Sequence, residues 1–348
     1  MKLLFITQKL HEQDAFTILW VEAWQRRGYD VTVVCLEWRP HAAMTALGRG
    51  QAPDFRVRSL GKENGAGKFM QVLRFLWIIA TAKYDRVFIH MTPVWGGIGA
   101  PVWLVRRTPV YLWYTHYTMQ WGLRLLGWYG KRMFAATPQS LPQYPSTSSG
   151  QASAKKVIVG HGIDLSYWPK RPNACTDPKK LLVVHRLARS KRLEIVLNAM
   201  AILPASYTLD VYGIEAEPDY AVEMLQLTRT LGLGSRVTFR GTTPSHTLPD
   251  IYRAHRLILN MASETIDKTM LEAMTCGCYP VTTERNALAI GLPAAPTSDT
   301  PGELAACVQY YAEHDMPATD DELYAIVQEK HSLDVLMEKM DRYVSSGT

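Results

Sequence analysis

The alternation of apolar strand patterns with helical patterns is the feature that most constrains the fold of this chain. Near its start, apolar runs at Lys2–Thr7 and Asp30–Leu36 enclose a helical pattern at Ala15–Arg27, which Gly28 ends. Two strands joined by such a helix lie parallel in one sheet, because the crossover returns the chain to the edge where it began. The sequence therefore predicts an α/β protein built on parallel sheets.

The same alternation continues through the first half of the chain. A helical pattern at Lys68–Lys83 is apolar over most of its circumference, which predicts a buried helix. Residues 141–154 are rich in Pro, Ser, Thr and Gly and predict a loop. The remaining strand patterns of this half are Phe55–Leu60, Arg86–His90, Val110–Thr115, Arg132–Ala136 and Lys156–Val159.

A second α/β series begins after a polar stretch that contains three prolines. We assign residues 165–178 to a linker between an N-terminal domain at 1–164 and a C-terminal domain at 179–330. Two Rossmann-like, doubly wound domains predict an interdomain cleft, with ligands beyond the carboxyl ends of the strands. The strand patterns of this series are Lys180–Val184, Tyr207–Tyr212, Arg236–Arg240, Arg256–Asn260 and Tyr279–Thr283, and its helical patterns are Lys191–Leu203, Asp219–Leu231, Leu248–Ala254, Thr269–Cys276, Gly302–Glu313 and Asp320–Val344.

The net charge of +6 is unevenly distributed. Residues 1–150 contain 18 Lys and Arg against 8 Asp and Glu, whereas residues 151–348 contain the remaining 20 against 24. Such a basic half suggests nucleic acid or an anionic membrane surface as a partner. Its tryptophans are embedded in apolar patterns, which disfavours nucleic acid. The segment Trp121–Phe134 mixes Trp, Leu and Tyr with cations, as interfacial segments do, although core packing explains it equally well.

Several classes of protein are disfavoured by motifs that the sequence lacks. The apolar stretch Phe75–Ala82 is far shorter than the roughly 20 residues of a membrane-spanning helix. We expect no signal peptide, and we expect the five scattered cysteines to be reduced thiols of a cytoplasmic protein. No dinucleotide-binding glycine motif, P-loop or zinc-binding pattern occurs, and Cys276 and Cys278 are expected to pack in the core.

A basic loop follows the first strand of the second series. Arg186, Arg189, Lys191 and Arg192 all lie where this strand passes into a helix. A helix N-terminus offers backbone amides and partial positive charge, and Arg and Lys add cations for phosphate oxygens. The loop therefore indicates a diphosphate site, the alternative being a solvated basic helix start.

Carboxylates flank a later helix of the second series. Glu264 precedes this helix and Glu272 lies within it, so both can face one polar ligand. Lys268 and the amides near Thr269 can meet phosphate. The alternative is that Glu264 or Asp267 caps the helix and that Glu272 is exposed.

These motifs, in this order, resemble the retaining GT-B glycosyltransferases of family 4, the bacterial group 1 type. The dense part of the resemblance covers residues 155–285, and the N-terminal half matches more loosely. The motifs that carry it are His161-Gly162-Ile163-Asp164, Arg186-Leu187 with Lys191, Tyr212-Gly213, Phe239-Arg240-Gly241, and Glu264 with Glu272-Ala273-Met274 and Pro280-Val281, together with Thr7-Gln8-Lys9, Phe88-Ile89-His90-Met91 and Trp113-Tyr114-Thr115-His116.

The resemblance implies a nucleotide-sugar donor site in the C-terminal domain and a C-terminal helix, at 331–348, that packs back on the N-terminal domain. The donor diphosphate would be held by Arg186 and Lys191, and the ribose by Glu272. For the transferred sugar, the resemblance implies that Glu264 faces it and that His116 contacts it. It also implies that Gly241 lies at the base and that Lys268 and Thr269 assist in binding the donor. Gln8, Lys9 and Asp14 are implied on the acceptor side.

The chain departs from the family's pattern at three places. The loop Gln8–Asp14 lacks the glycines common near the acceptor, and His185 and Arg192 replace usual glycines. Asp267 and Lys268 stand where the family places a glycine after the first carboxylate.

The resemblance predicts an enzyme that moves a sugar from a UDP- or GDP-linked donor to a glycan or lipid-linked acceptor with retention of configuration. We expect a role in bacterial surface polysaccharide or glycolipid synthesis, in the cytoplasm or peripherally on the inner face of the membrane. No metal, cofactor or nucleic acid is expected. The alternatives are a nucleotide-sugar epimerase of GT-B fold and a non-catalytic nucleotide-sugar binding protein.

Overall fold

The structure is a computed structural model that describes residues 1–10, 15–39, 54–116, 119–144, 155–175, 177–263, 266–293 and 297–347. The chain forms two compact units. The first contains Met1–Asp164 together with His331–Thr348, and the second contains Leu165–Lys330. Residues 165–178, the predicted linker, therefore belong to the second unit, where the Arg171 amide donates to the Thr275 carbonyl at 2.9 Å.

A seven-stranded parallel sheet forms the centre of the first unit, in the order β3-β2-β1-β4-β5-β6-β7. Its middle strands are apolar on both faces because helices cover the sheet on both sides. The elements are β1 (Lys2–Leu10), α1 (Ala15–Arg26), β2 (Asp30–Trp38), β3 (Arg56–Ser59), α2 (Lys68–Thr81), β4 (Arg86–His90), α3 (Pro93–Val105), β5 (Val110–Trp113), α4 (Trp121–Tyr129), β6 (Arg132–Ala135) and β7 (Lys156–Ile158).

The second unit has a five-stranded parallel sheet in the order β10-β9-β8-β11-β12. The predicted α/β class with two Rossmann-like domains is thus confirmed. Its elements are β8 (Lys180–Val184), α5 (Leu193–Ile202), β9 (Thr208–Tyr212), α6 (Pro218–Thr230), β10 (Val237–Gly241), α7 (Leu248–Arg253), β11 (Leu257–Asn260), α8 (Lys268–Met274), β12 (Tyr279–Thr282), α9 (Glu284–Ile290), α10 (Pro301–Glu313) and α11 (Asp320–Ile326).

The last helix, α12 (Leu333–Ser346), belongs to the first unit. The Tyr111 hydroxyl donates to the Tyr343 carbonyl at 3.0 Å, and the Arg86 guanidinium donates to the Val344 carbonyl at 3.2 Å. The C-terminal helix therefore packs back on the N-terminal sheet, as the resemblance implied.

The predicted single helix at Asp320–Val344 is wrong. It is divided into α11, a π-helical turn at Val327–His331 and α12. Ser332 breaks it, because its extended backbone pairs with Ile163 and its hydroxyl caps α12 by accepting from the Val335 amide.

The prediction that Lys68–Lys83 is buried all round is also wrong. Helix α2 buries Phe75, Ile78 and Ile79 but exposes Phe69 and Trp77. The helix packs on the sheet with one side, and apolar side chains on its other side remain exposed.

The cysteines and the helix lengths bear on two further properties of the chain. All five cysteines are free thiols, and Cys276 and Cys278 are buried, as the packing interpretation requires. No helix within the described ranges is both long enough and apolar enough to cross a membrane.

Candidate functional site

The carboxyl ends of β8 and β11 lie where the strand order of the second sheet reverses. From β8 the chain passes to β9 and β10 on one side, and it then returns to β11 on the other side of β8. Loops that leave neighbouring strands in opposite directions open a crevice at such a topological switch point. The two loops there are the basic loop after β8 and the loop that leads from β11 into α8.

The basic loop is held close to its neighbours by backbone contacts. The Ser263 amide, after β11, donates to the Ser190 carbonyl at 3.1 Å. On the other side, a Cβ atom at Gly213 would lie 1.8 Å from the His185 carbonyl oxygen. Only glycine fits at this position, which explains why Gly213 follows β9 directly.

Arg192 occupies a backbone conformation that normally favours glycine. Its φ is 53°, in the left-handed region, where a side chain costs roughly 1–2 kcal/mol. The side chain is anchored in compensation, since its Nε donates to the Met261 carbonyl at 2.9 Å and its guanidinium pairs with Asp299. Arg192, which stands where the resembling family usually has a glycine, thus adopts a left-handed backbone that suits glycine.

The ammonium group of Lys191 forms an ion pair with the carboxylate of Asp267. The other oxygen of this carboxylate accepts from the side-chain amide of Asn260 at 2.8 Å. Lys191 is buried and Asp267 is largely buried. The pair joins the loops after β8 and β11, and it shows that Asp267 does not cap α8 with its side chain.

Burial and charge shift the pKa values of this cluster. Burial raises the pKa of the Asp267 carboxyl, but the neighbouring Lys191 ammonium and the hydrogen bonds outweigh it and bring this pKa below the ordinary value. Burial lowers the pKa of His185 to about 4. Its Nδ1 lies 3.0 Å from the Arg186 carbonyl oxygen, so the neutral ring donates there. The site therefore holds a charged pair beside a neutral imidazole at pH 7.

Glu272 is buried within α8, so the alternative of an exposed residue is excluded. The Tyr252 hydroxyl donates to its Oε2 at 3.3 Å, and the Lys268 ammonium lies 3.9 Å from its Oε1. Burial raises the pKa of this carboxyl. Glu272 is therefore a positioned hydrogen-bonding group rather than a solvated charge.

Three further predicted residues lie at the same edge of the sheet. Arg186 is exposed directly after β8, and no described residue forms an ion pair with it. The hydroxyl oxygen of Thr269 is buried and has no hydrogen-bond partner among the described residues. Gly241 ends β10 with a φ of 70° and leaves its surface open. Each offers a polar group or free space that a ligand can use.

A polar cavity of about 470 Å³ opens beside the loop after β11. Its lining includes Arg192, Ser263, Ser298 and Asp299. A cavity of this volume and polarity is suited to a hydrophilic small molecule.

Other predicted site residues lie in the first unit or outside the described ranges. The predicted loop at Gln8–Asp14 is wrong for its first residues, because strand β1 extends to Leu10 and includes Gln8 and Lys9. His116 follows β5, with its ring 5.5 Å from that of Tyr114. Glu264 and Asp14 lie outside the described residues.

Sequence reasoning missed the role of Asp267 as the partner of Lys191, and it missed Asn260 entirely. The only signal was that Asp267 replaces a family glycine. No cluster of three His, Cys, Asp or Glu side chains suited to a metal ion occurs within the part of the chain that the structure describes.

Part of the chain is similar in sequence to a known protein family. Residues 167–289, which lie in the second unit, match the family model of glycosyl transferases group 1. The fold is the GT-B fold of glycosyltransferases. The crystal structure of HepE from Anabaena in complex with UDP and glucose superposes with a TM-score of 0.77 at 20% identity, over 99% of this chain and 100% of that one.

Two curated enzymes are similar in sequence over part of the chain. D-inositol 3-phosphate glycosyltransferase of Mycolicibacterium smegmatis is 33% identical over 167 residues, which is 44% of this chain and 37% of the enzyme. Mannosylfructose-phosphate synthase of Agrobacterium fabrum is 31% identical over 116 residues, which is 31% of this chain and 26% of that enzyme. The matches thus span well under half the length of these relatives.

Proposed function

We propose that this protein is a glycosyltransferase that moves a sugar from a nucleoside-diphosphate sugar to an acceptor with retention of anomeric configuration. The observation that carries the proposal is the exposed Arg186 beside the buried Lys191–Asp267 pair at the switch point of the second sheet. The family match of residues 167–289 covers this site and supports the same reaction class.

The basic loop would stabilise the leaving nucleoside diphosphate. The bond between the anomeric carbon and the diphosphate oxygen breaks, and negative charge accumulates on that oxygen. Arg186 and Lys191 at this point lower the energy of the transition state more than that of the bound donor. In this proposal Arg186, Lys191 and the amides of the helix start stabilise the leaving group, so turnover requires no divalent metal and survives chelation with EDTA.

Residues around α8 would complete the donor site. The buried Thr269 hydroxyl would bond a phosphate oxygen, assisted by Lys268, and Glu272 would accept from the ribose hydroxyls. Gly241 leaves room for the base at the end of β10. We assign Glu264 to the transferred sugar.

The first unit would supply the acceptor side. We place His116 at the sugar and Gln8, Lys9 and Asp14 near the acceptor, a glycan or lipid-linked molecule of bacterial surface polysaccharide or glycolipid synthesis. The reaction would take place in the cytoplasm, at the inner face of the membrane, where a lipid-linked acceptor is reached.

The first test is a thermal-shift panel of UDP- and GDP-sugars. UDP-glucose heads the panel because HepE was crystallised with UDP and glucose. A donor present at about 100 times its dissociation constant stabilises the folded state by about 2.7 kcal/mol. No shift with any nucleotide sugar would contradict the donor site.

Incubation with the identified donor separates transfer from its alternatives. A glycosyltransferase releases nucleoside diphosphate in an acceptor-dependent manner, and NMR of the product shows the anomeric configuration of the donor. An epimerase converts the donor alone, and a binding protein releases nothing. Inverted product would refute the retaining mechanism while leaving sugar transfer intact.

A further inference from the structure

The outer surface of the layer formed by α2, α3 and α4 exposes large apolar side chains together with cations. The inner sides of these helices share one core, which includes Phe75, Trp103 and Leu126. Close packing fixes α3 against α4, since a Cβ atom at Gly97 would lie 2.1 Å from the ring of Trp121. The three helices therefore form a rigid layer over one face of the sheet.

Large apolar side chains project outward from this layer. Along α2, Phe69, Leu73 and Trp77 recur every four residues and are 75%, 45% and 62% exposed. Trp128 in α4 is 71% exposed, and Val105 at the end of α3 is 85% exposed. Phe69, Leu73 and Trp77 form an exposed apolar stripe along α2, and exposed apolar surface concentrated on one layer is typical of an interaction site.

The charge of the same layer is almost entirely positive. Between residues 64 and 131 the sequence contains a single acidic residue, Asp85. Its carboxylate accepts from the Lys2 amide at 2.8 Å, so it is already engaged. The cations of this segment are Lys68, Arg74, Lys83, Arg86, Arg106, Arg107, Arg124 and Lys131.

Some of these cations are used to hold the layer together. Arg74 donates to the Leu60 carbonyl at 3.1 Å, and Arg106 donates to the Ile79 carbonyl at 2.7 Å. Five other cations of this segment are exposed: they are Lys68, Lys83, Arg107, Arg124 and Lys131.

We infer that this layer, which we call the α2–α4 surface, docks on a lipid bilayer that contains anionic lipids. Trp and Phe favour the boundary between headgroups and acyl chains, and Lys and Arg are attracted to acidic headgroups. A surface that combines both and carries one engaged carboxylate is complementary to such a bilayer. The inference rests on the proposed function in one respect: docking of this surface would bring the acceptor side of the enzyme to a lipid-linked acceptor.

Flotation of the full-length protein with vesicles tests this inference without any sugar transfer. Vesicles of equal parts phosphatidylglycerol and phosphatidylcholine should carry the protein to the top of the gradient at low salt, and vesicles of phosphatidylcholine alone should not. Binding should weaken as salt rises, because the headgroup attraction is screened. Absence of the protein from the anionic vesicles would overturn the inference, even if the enzyme transfers sugar in solution.

A matched pair of variants locates the surface. F69E/W77E should reduce binding to the anionic vesicles at least tenfold, since it replaces two inserted rings by carboxylates. V222E/L288E places the same charges at residues that are similarly exposed in the second unit, 65% and 66%, and should bind as the parent does. Equal loss in both variants would show that net charge alone governs binding and would overturn the assignment to this surface.

Light scattering of the parent protein tests whether a second copy of the chain, instead of a bilayer, binds to the α2–α4 surface. A monomer at micromolar concentration is expected. A dimer that F69E/W77E dissociates would assign the α2–α4 surface to self-association and overturn the bilayer inference. Thermal unfolding of each variant confirms that it is folded, and donor-dependent release of nucleoside diphosphate reports independently on the proposed function.

Discussion

Lys191 and Asp267 form an ion pair although 76 residues separate them in the sequence. The pair connects the loop after β8 to the loop after β11, the two neighbouring strands at which the sheet order reverses. Asp267 therefore supplies a counter-charge to the Lys191 ammonium and fixes its orientation in a largely buried place. Without this carboxylate, the buried ammonium would have neither its partner nor a defined orientation.

Asp267→Asn should destabilise the protein by about 3 kcal/mol, because it leaves the buried Lys191 ammonium without a counter-charge. Urea denaturation followed at 222 nm measures this loss. The control is Asp299→Asn, which breaks the ion pair to Arg192 at a carboxylate that is 69% exposed and should cost less than about 1 kcal/mol. Equal costs in the two variants would mean that the Lys191–Asp267 pair is not desolvated as described.

Lys191→Ala should abolish most turnover at saturating donor, because the leaving diphosphate loses a cation that acts in the transition state. Removal of one such group typically costs about 10²–10³ in kcat. Initial rates of nucleoside diphosphate release provide the measurement. Arg189→Ala is the matched control, since Arg189 lies in the same turn but pairs with Glu223 in α6. Near-normal rates for Lys191→Ala would remove the basic loop from the mechanism.

The main features of the fold could be predicted because they depend on local periodicity. The β-branched and apolar runs that form the strands are visible without any tertiary information, and so are most helices between them. Helix α3 was missed because Gly96, Gly97 and Gly99 have low helix propensity and Pro101 lies within the pattern. Contact with α4, which only small residues allow, stabilises this helix, and no local pattern reports that contact.

The polar residues that meet at this edge of the second sheet could be selected by type but not paired, and their role at a donor stays a prediction. Arg186, Lys191 and Glu272 could be selected because cations and carboxylates at the ends of strands indicate phosphate and hydroxyl recognition. That Lys191 pairs with Asp267 depends on β8 and β11 being neighbours, which is a property of strand order. The exposed half of α2 was missed for a similar reason, since periodicity does not show how much of a helix another element covers.

Stability should fall as the pH drops from 7 to 5 because of His185. Burial lowers its folded-state pKa to about 4, whereas the unfolded ring has a pKa of about 6.5. Between these values the unfolded chain takes up a proton that the folded chain excludes, so about 2 kcal/mol of stability is lost by pH 5. This contribution is fully present above pH 6.5.

Urea denaturation of the parent and of His185→Asn, each at pH 7 and pH 5, isolates this contribution. The other ionisable groups are shared, so the variant should lose about 2 kcal/mol less than the parent over this interval. The lowered pKa of Asp267 acts at more acidic pH and does not interfere. An identical loss in both proteins would show that the His185 ring is accessible to protons in the folded state.

Gly122→Ala should destabilise the first unit by about 1–3 kcal/mol. A Cβ atom at this position would lie 2.1 Å from the Pro93 carbonyl oxygen, and backbone cannot move aside as a flexible side chain can. The clash outweighs the roughly 1 kcal/mol by which alanine favours a helix over glycine. Tryptophan fluorescence follows this unit, because nine of the ten tryptophans precede residue 150.

Gly302→Ala, near the start of α10, is the control. It has no atom within 4 Å of the added methyl and should instead stabilise the second unit slightly when unfolding is followed at 222 nm. Destabilisation by both substitutions would mean that backbone conformation, not the contact with Pro93, decides the outcome at Gly122.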